Sequence, residues 1–411
     1  VDLDLSYAKR EVSRVFVRNA VNWSGARTKR MVVHRFRHSD VLRNIATACK
    51  ELEEMIFLSG GMLADTVIEV AQCGQNLKKL VLHTNVNFDT IAQILRFRPT
   101  LEHAEFSSIV SAEVTPHWKG PYPNLRYLGL TYDPPPPRSR LVHVSLETLL
   151  QNAPNLEHLR VKGTTALSVP NGREFAALTP NLKEYTHSCL IPDGWPSLGE
   201  KVERLDLKAA YSYYLPSAVS IRAATPLLLS IWEHAQGPKV WKLEHLSLHG
   251  FQNMNPDFLS ALLDYYVNDA GDVIRIKDDD QVSNLQHLSI SDCTFPDEPD
   301  LFGLNGLLTC SRRILSPALQ SLDLSGLSVT NGDIKALITH HIPLRTISLA
   351  RTSITGAGVK TLVDGIPSLE LVNADDCSKI SSRDIIEYAK GKGVIVSMKM
   401  TDVRGGKTVR Y

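Results

Sequence analysis

The sequence predicts an α/β solenoid, a horseshoe lined by one concave parallel β-sheet and built from about 13 repeats. Three observations predict it. A six-residue phrase with apolar residues at positions 1, 4 and 6 recurs along the 411 residues, and its clearest copy is Leu319-Gln320-Ser321-Leu322-Asp323-Leu324. The copies keep a period: those starting at 28, 52, 77, 101 and 125 lie 24, 25, 24 and 24 residues apart, and those at 319, 344 and 369 lie 25 and 25 apart. Between copies, apolar residues recur three and four apart, the spacing of one helix face.

A short strand with apolar residues at positions 1, 4 and 6 buries those and presents the intervening ones to solvent. No single copy has enough apolar surface to fold alone, so stacking supplies the core. A period near 25 lies in the range of leucine-rich repeats. Length alone would favour two or three globular domains. A solenoid instead grows along one axis, so the expected organisation is a cap or first repeat over 1–27, a leucine-rich repeat solenoid over 28–396 and a basic tail over 397–411.

In chain order, Val1 to Ser6 alternates as a strand does, and Val12–Val21 has helical spacing; together they read as an amino-terminal cap. A degenerate phrase follows at Thr28/Met31/Val33, then Leu52/Met55/Phe57, Leu77/Leu80/Leu82, Leu101/Ala104/Phe106 and Leu125/Leu128/Leu130. Helices are expected at Val41–Ala48, Ala64–Ala71 and Thr90–Phe97, the last stopped by Pro99. Pro134 to Pro137 can form neither helix nor ladder and reads as an exposed loop. The phrase resumes at Leu156, Leu182, Val202, Leu243 and Leu285, with helices expected after Pro226 and over Pro256–Val267. From Leu319 the period is regular again, with helices over Asn331–His341, Gly358–Asp364 and Ser381–Lys390 and a last strand around Val394/Val396. The tail is expected either to fold back as a cap or to serve as a binding arm.

Net charge is +1, which gives no global field for a polyanion, but its distribution is uneven. Residues 9–43 hold ten Lys/Arg against two acids, residues 264–300 ten acids against two bases, and residues 379–411 eight bases against three acids. Such ends favour electrostatic orientation of a large partner, or are simply solvated surface. The six cysteines form no CxxC pair and match no zinc spacing, so they read as small buried hydrophobes in a reducing compartment. No signal peptide or membrane-length apolar run is visible. Asn22-Trp23-Ser24 fits a glycosylation sequon in isolation. The start at Val1, in mid-phrase, reads as part of a longer protein.

Enzymatic chemistry finds no support. Gly405-Gly406-Lys407-Thr408 resembles the end of a phosphate-binding loop, but position 401 is Thr and the chain ends three residues later. No nucleophile elbow, zinc-protease, dinucleotide or calcium-loop pattern occurs. His340-His341 sits at an expected helix end, where a histidine meets the dipole favourably. The expectation is a non-enzyme with no cofactor and no metal.

The solvent-facing positions are the third, fifth and seventh of each phrase. They give Arg30, Val32, His34; Lys79, Val81, His83; His158, Arg160, Lys162; Arg204, Asp206, Lys208; and His245, Ser247, His249, with His103 and His287 also third. The carboxyl-terminal strands turn neutral, then acidic, through Asp323 and Asp375. A basic, histidine-rich docking face is therefore expected from Arg30, His34, Lys79, His83, Arg160, Lys162, Arg204 and Lys208.

Cys49-Lys50-Glu51-Leu52-Glu53-Glu54-Met55, and Leu322 to Leu327 with Thr330 to Ile334, resemble the cysteine-containing repeats of F-box proteins, the substrate receptors of cullin-type (SCF) ubiquitin ligases. Leu3 to Arg10, Arg35 to Cys49, Ile94 to His103 and the tail from Gly405 are similar to fungal F-box proteins that also carry tetratricopeptide repeats. That resemblance implies a substrate-recognition domain that binds a large protein, including the replicative helicase of the replisome, for ubiquitylation. It implies a nuclear (or cytoplasmic) place of action, and ligase contact through an F-box not contained in this sequence. The family has no fixed site motif, so no binding residue is carried over. Two other readings stand beside it: a leucine-rich repeat scaffold outside the ubiquitin system, and a DNA- or chromatin-contacting module using the basic ends. No membrane partner is expected.

Overall fold

A computed structural model describes residues 2–4, 14–33, 47–58, 68–69, 71–72, 74–109, 118–132, 144–162, 167–168, 173–188, 201–208, 243–250, 265–267, 273–275, 284–293, 317–380, 384–401 and 408–410. The chain forms two units, one of residues 1–201 with 210–212 and one of 202–209 with 213–411.

The first unit begins with β1 (Asp2–Asp4), α1 (Arg14–Ser24) and a 3-10 turn at Gly25–Arg27. Then come β2 (Arg30–Val33), β3 (Glu54–Phe57), β4 (Lys79–Val86), α2 (Phe88–Phe97), β5 (His103–Ile109) and β6 (Tyr127–Tyr132). A two-residue strand β7 (Val144–Ser145), α3 (Glu147–Gln151), β8 (His158–Lys162), β9 (Leu167–Ser168), α4 (Arg173–Leu178) and β10 (Glu184–Ser188) complete it. β1, β2, β3, β4, β5, β6, β8 and β10 pair in that order, each parallel to the next, while β7 and β9 pair by themselves.

Register follows the phrase. Met31, Met55, Leu80, Ala104, Leu128, Leu159 and Tyr185 form one buried row at position 4. Position 6 gives a second, from Val33 and Phe57 to Val161 and His187, and position 1 a third, from Thr28 and Leu52 to Leu182. Each buried leucine contributes about 2 kcal/mol, so one phrase is weak and the stack is not.

Polar residues at phrase edges lock one rung to the next. The N–H groups of Glu53 and Glu54 both donate to the Lys29 carbonyl, and the same two-to-one pattern recurs at Glu53, Lys78, Glu102, Arg126 and Glu157. An asparagine just before position 1 donates its amide to the previous rung: Asn76 to Lys50, Asn124 to Pro99, Asn155 to Pro123 and Asn181 to Pro154, at 2.8–3.2 Å. Position 2 alternates in charge along the unit, through Lys29, Glu53, Lys78, Glu102, Arg126, Glu157 and Lys183. Glu53 bridges Lys29 and Lys78 at 3.1 and 3.3 Å, and Glu157 bridges Arg126 and Lys183 at 3.2 and 2.8 Å.

The second unit holds β11 (Arg204–Lys208), β12 (His245–His249), β13 (Tyr265–Val267), β14 (Val273–Arg275), β15 (His287–Ser289) and β16 (Ser321–Asp323). It continues with α5 (Asn331–Thr339), β17 (Thr346–Ser348), α6 (Gly356–Gly365), β18 (Leu371–Asn373), α7 (Asp384–Gly391), β19 (Ile395–Ser397), β20 (Lys399–Thr401) and β21 (Thr408–Arg410). β11, β12, β15, β16, β17, β18 and β19 pair parallel in chain order. The carboxyl-terminal tail folds back on itself as an antiparallel β20–β21 pair.

A corner two residues past each phrase shapes this unit. Gly250, Asp292, Gly326, Arg351 and Asp376 all have positive φ, between 53° and 75°. Each N–H at that corner donates to the seventh-position carbonyl of the following rung: Ser291, Ser325, Ala350, Asp375 and Lys399 in turn. Three of the five lack glycine's freedom there, and aspartate tolerates the left-handed region better than arginine does.

Some expectations need correction. Val32 and Val81, at fifth positions, are 4% and 6% exposed and do not face solvent. Tyr265–Val267, expected to end a helix from Pro256, is instead a strand paired antiparallel with β14; all three residues of β13, and Val273 and Ile274 of β14, are aromatic or β-branched and suit a ladder better than a helix turn. The tail boundary at 397 falls inside β19. The proline run, the acidic residues 278–280, the helix after Pro226 and most of those at 41–48 and 64–71 lie outside the described residues. Cys49, Cys293 and Cys377 are buried free thiols, and burial pushes the Cys49 thiol up to about 11, which leaves that sulfur little thiolate to react with.

Candidate docking surface

Parallel pairing in register turns the outward positions of the phrases into rows. In the first unit the third-position row reads Arg30, Glu54, Lys79, His103, Tyr127, His158 and Glu184. The fifth reads Val32, Ile56, Val81, Glu105, Gly129, Arg160 and Thr186; His83, Ser107, Thr131, Lys162 and Ser188 belong to the seventh. Arg30 and Lys79 thus share one row, Arg160 stands in the next, and His83 and Lys162 lie in the third. His34 is outside the described residues.

The strands interleave acids that the sequence reading left out. Glu54 lies 3.4 Å from Arg30, and Glu184 lies 3.1 Å from His158. Glu105 stands beside His103 at 4.0 Å. The signal was available, since each acid occupies a third or fifth position of a phrase already recognised.

Three rings stand side by side at the centre of this face. His103 and Tyr127 stack with centroids 4.0 Å apart and planes 5° apart, and Tyr127 lies 6.1 Å from His158. His103 and Tyr127 cover one face of each other, while His158 is tilted by 35° to Tyr127. Burial, followed by the charges of Lys79 and His158, lowers His103 to about 4, so this ring is neutral at pH 7. Burial raises the Tyr127 hydroxyl above its usual range, against the opposing pull of the nearby Arg160 guanidinium. A Cβ on Gly129 would meet the Glu105 Cγ at 3.0 Å and the Tyr127 ring at 3.2 Å, so glycine leaves room for these side chains to lie over the strand. His83 Nδ1 pairs with the Ser107 hydroxyl at 2.8 Å. The face is a mosaic of hydrogen-bonding edges and paired charges rather than a basic slab.

In the second unit Arg204 and Lys208 are exposed on β11, with Asp206 between them. Next to them the face is histidine- and hydroxyl-lined. His245 and His287 lie 5.5 Å apart, and His249 Nδ1 meets the Ser291 hydroxyl at 2.9 Å. Burial, then Lys208, holds His249 below the usual range despite Asp292 and Asp323. Ser289 donates to Asp323 at 3.1 Å, Ser325 and Ser348 share a bond of 2.8 Å, and Asn373 donates to Ser348 at 3.0 Å. Asp375 accepts from Ser397 and from the Lys399 N–H. Polar side chains on this face therefore satisfy each other across rungs and hold their rotamers.

Ser291, His249 and Asp292 invite comparison with a catalytic relay, and geometry rejects it. Serine and carboxylate both face Nδ1 of the ring, at 2.9 and 3.6 Å. A relay needs them on opposite nitrogens. Asp292 is in any case committed to Arg351, at 2.6 and 2.7 Å. Among the described residues, no group of three or more His, Cys, Asp or Glu is placed to hold a metal ion. Nor is any described helix long and apolar enough to cross a membrane.

The ladder of parallel strands, the L-x-x-L-x-L register and the helices between rungs define a leucine-rich repeat fold. No protein-family model matches the chain, and no curated protein matches it in sequence. Solved structures do match. One is the yeast Rad7–Elc1 complex, at 16% identity over 94% of this chain and 88% of that one, with a TM-score of 0.44. Another is an internalin of Listeria monocytogenes, at 12% identity, 89% and 85% coverage and a TM-score of 0.37. A third is TLR13 in complex with a single-stranded RNA, at 13% identity, 98% and 55% coverage and a TM-score of 0.41.

Proposed function

We propose that the outward strand face is a docking surface for a folded protein, and that the chain is the substrate-recognition part of an SCF-type ubiquitin ligase receptor. One observation carries the docking reading: side chains at alternate positions of the phrase form ordered rows across the rungs, and those of the third and seventh rows are held by their own hydrogen bonds, ion pairs and ring stacking. Side chains already fixed lose little entropy on binding, which favours affinity over a broad contact. The mechanism is proximity. The surface holds the substrate while other ligase components deliver ubiquitin, and bound lifetime and orientation set turnover.

The ligase assignment rests on the F-box resemblance of Cys49 to Met55 and of Leu322 to Leu327 with Thr330 to Ile334. The replisome as substrate and the nucleus as place of action rest on the similarity of Leu3 to Arg10, Arg35 to Cys49, Ile94 to His103 and the tail from Gly405 to fungal F-box proteins that carry tetratricopeptide repeats. The acids among the cations make this face a poor match for a continuous polyanion, so a protein is the favoured partner over DNA.

The test is charge reversal in the full-length protein. Lys79, Arg160 and Lys162 would be changed to Glu as one set, and Arg204 and Lys208 as another. Proteome-wide ubiquitin-remnant profiling would compare each with the gene deletion. Loss of the same modification sites in variant and deletion, with an unchanged melting profile, supports the reading. Retention of those sites by both variants refutes the face assignment. A deletion that changes no ubiquitin site refutes the ligase assignment.

A further inference from the structure

Strand β19 ends the ladder of the second unit among the described residues, and its outer edge is open. At the rungs before it, the second-position carbonyl accepts from the next rung: Gln286 from Gln320 and Ser321, Gln320 from Arg345 and Thr346, Arg345 from Glu370 and Leu371, and Glu370 from Ile395. The series stops at Val394, whose carbonyl stands in the same register position and accepts no main-chain bond among the described residues. Main-chain groups of successive strand residues point to opposite edges. Ile395 and Ser397 bond back toward β18, through Glu370 and Ala374, so the N–H and carbonyl of Val396 point outward. Val372 is the strand partner of Val396, and no second partner lies across the outer edge among the described residues.

Side chains mark the same place. Leu322, Ile347 and Val372 hold the fourth position at 0–1% exposed, whereas Val396 is 7% exposed, so the core is less fully covered at this rung. The third-position row runs Ser321, Thr346, Leu371 and Ile395 in register. Its last two members are 37% and 68% exposed and sit on adjacent strands about 4.8 Å apart. Proteins commonly guard such an edge with a lysine, a proline or a bulge; Ile395-Val396-Ser397 carries none of these. The opening is short. At one end the chain arrives from α7 through Gly393, with φ at 81°. At the other, β21 pairs with β20, and because the Lys399 carbonyl already accepts from Asp376 on the β18 side, β21 stands on the outer side.

The chemistry of the edge selects its occupant. Two carbonyls and one N–H in strand alternation are matched by the backbone of another extended polypeptide. A DNA backbone has no donor for the Val394 and Val396 carbonyls. A second copy offering its own β19 would bring α7 and β21 with it, against an opening that β21 already bounds.

We infer that the outer edge of β19 is a peptide-docking slot, in which an extended segment of another protein adds one more strand beside Ile395–Ser397. Two neighbouring aliphatic residues of that segment fall on opposite faces: one lengthens the Leu371–Ile395 row and the other covers Val396. The slot is distinct from the broad strand face and stands whether or not the ligase reading does.

A library of random twelve-residue peptides displayed on phage, panned against the intact chain, tests this. Selected peptides are then resynthesised with a single backbone N-methyl group at each residue in turn, which removes one N–H. The expected peptides carry two adjacent aliphatic residues with no proline beside them. N-methylation at alternate residues should weaken binding at least tenfold and at the intervening residues by no more than about twofold. Ile395→Glu, at an exposed position, should also weaken binding at least tenfold. Val396→Pro removes an outward N–H that β18 does not use, and should abolish binding with an unchanged circular dichroism spectrum; should it misfold, the N-methyl series decides. No enrichment, indifference to N-methylation at every residue, or binding retained by Ile395→Glu or by folded Val396→Pro would overturn the inference. Sedimentation equilibrium showing a dimer that Ile395→Glu dissociates would overturn it too, by giving the edge to a second copy.

Discussion

At Gly326 the chain turns with φ at 75°, and the carboxylate of Asp292 passes over it to reach Arg351. A Cβ there would sit 2.1 Å from Asp292 Oδ1. Gly326→Ala should therefore cost about 1 kcal/mol for the left-handed backbone, and the displaced carboxylate should also release Arg351. Asp292→Asn removes only the half-exposed bridge and should cost less than about 1 kcal/mol; urea melts of the two variants separate the effects. His187 makes a different test. It is wholly buried in β10, its Nδ1 lies 2.5 Å from the Tyr185 hydroxyl, and burial lowers it to about 3. The unfolded chain, with an ordinary histidine near 6.5, binds more protons between those values. His187 thus contributes stability that is present above pH 6.5 and is lost as pH falls, by about 1.4 kcal/mol per unit within that window. His103, lowered to about 4, acts in the same direction. A Tyr185→Phe/His187→Leu double variant should flatten the drop in urea midpoint between pH 7 and pH 5, and an unchanged slope would assign it elsewhere.

The helices and loops show where local chemistry decides and where it yields. Asn87 caps α2, its Oδ1 accepting from the Thr90 N–H at 2.7 Å and from its hydroxyl at 2.8 Å. Asn87→Ala should lower stability by about 1 kcal/mol and leave the strand face intact, as paired melting and binding assays would show. At α5 the Thr330 hydroxyl and N–H both reach Asp333, which fixes the entry to that helix. Asn155→Ala leaves the Pro123 carbonyl without its donor and should cost roughly 1 kcal/mol. The strands were legible because a period of two with leucines at fixed places allows one register only. Helix positions after Leu77 and Leu319 were legible, to within a turn, from apolar residues three and four apart. Tyr265–Val267 was not, because three apolar residues in a row fit a helix face and a strand equally well until the partner Val273–Arg275 is known. The asparagines before position 1 were visible as Pro-Asn-Leu at 123, 154 and 180, yet their purpose is a bond to the previous rung, which no single repeat reveals.

Across the molecule, charge was the part least readable from single phrases. Arg30, Lys79 and Arg160 read as a basic face when copies are taken separately. Stacking inserts Glu54, Glu105 and Glu184 and cancels much of it. The same stacking builds the alternating line from Lys29 to Lys183. Glu157→Lys would set a third cation between Arg126 and Lys183, making an unbroken basic run of three, and should lower the melting temperature most at low salt, with the deficit shrinking at 1 M salt as screening shortens to about 3 Å. The left-handed corner at Gly250, Asp292, Gly326, Arg351 and Asp376 has a wider consequence. Each corner amide looks only to the neighbouring turn, and every turn offers the same carbonyl in return. Excising a whole 25-residue period such as 344–368, or copying one in, would leave the severed ends facing groups identical to those they lost. Such a protein can lengthen or shorten its reach one tread at a time, and so trade one partner for another without inventing a new architecture.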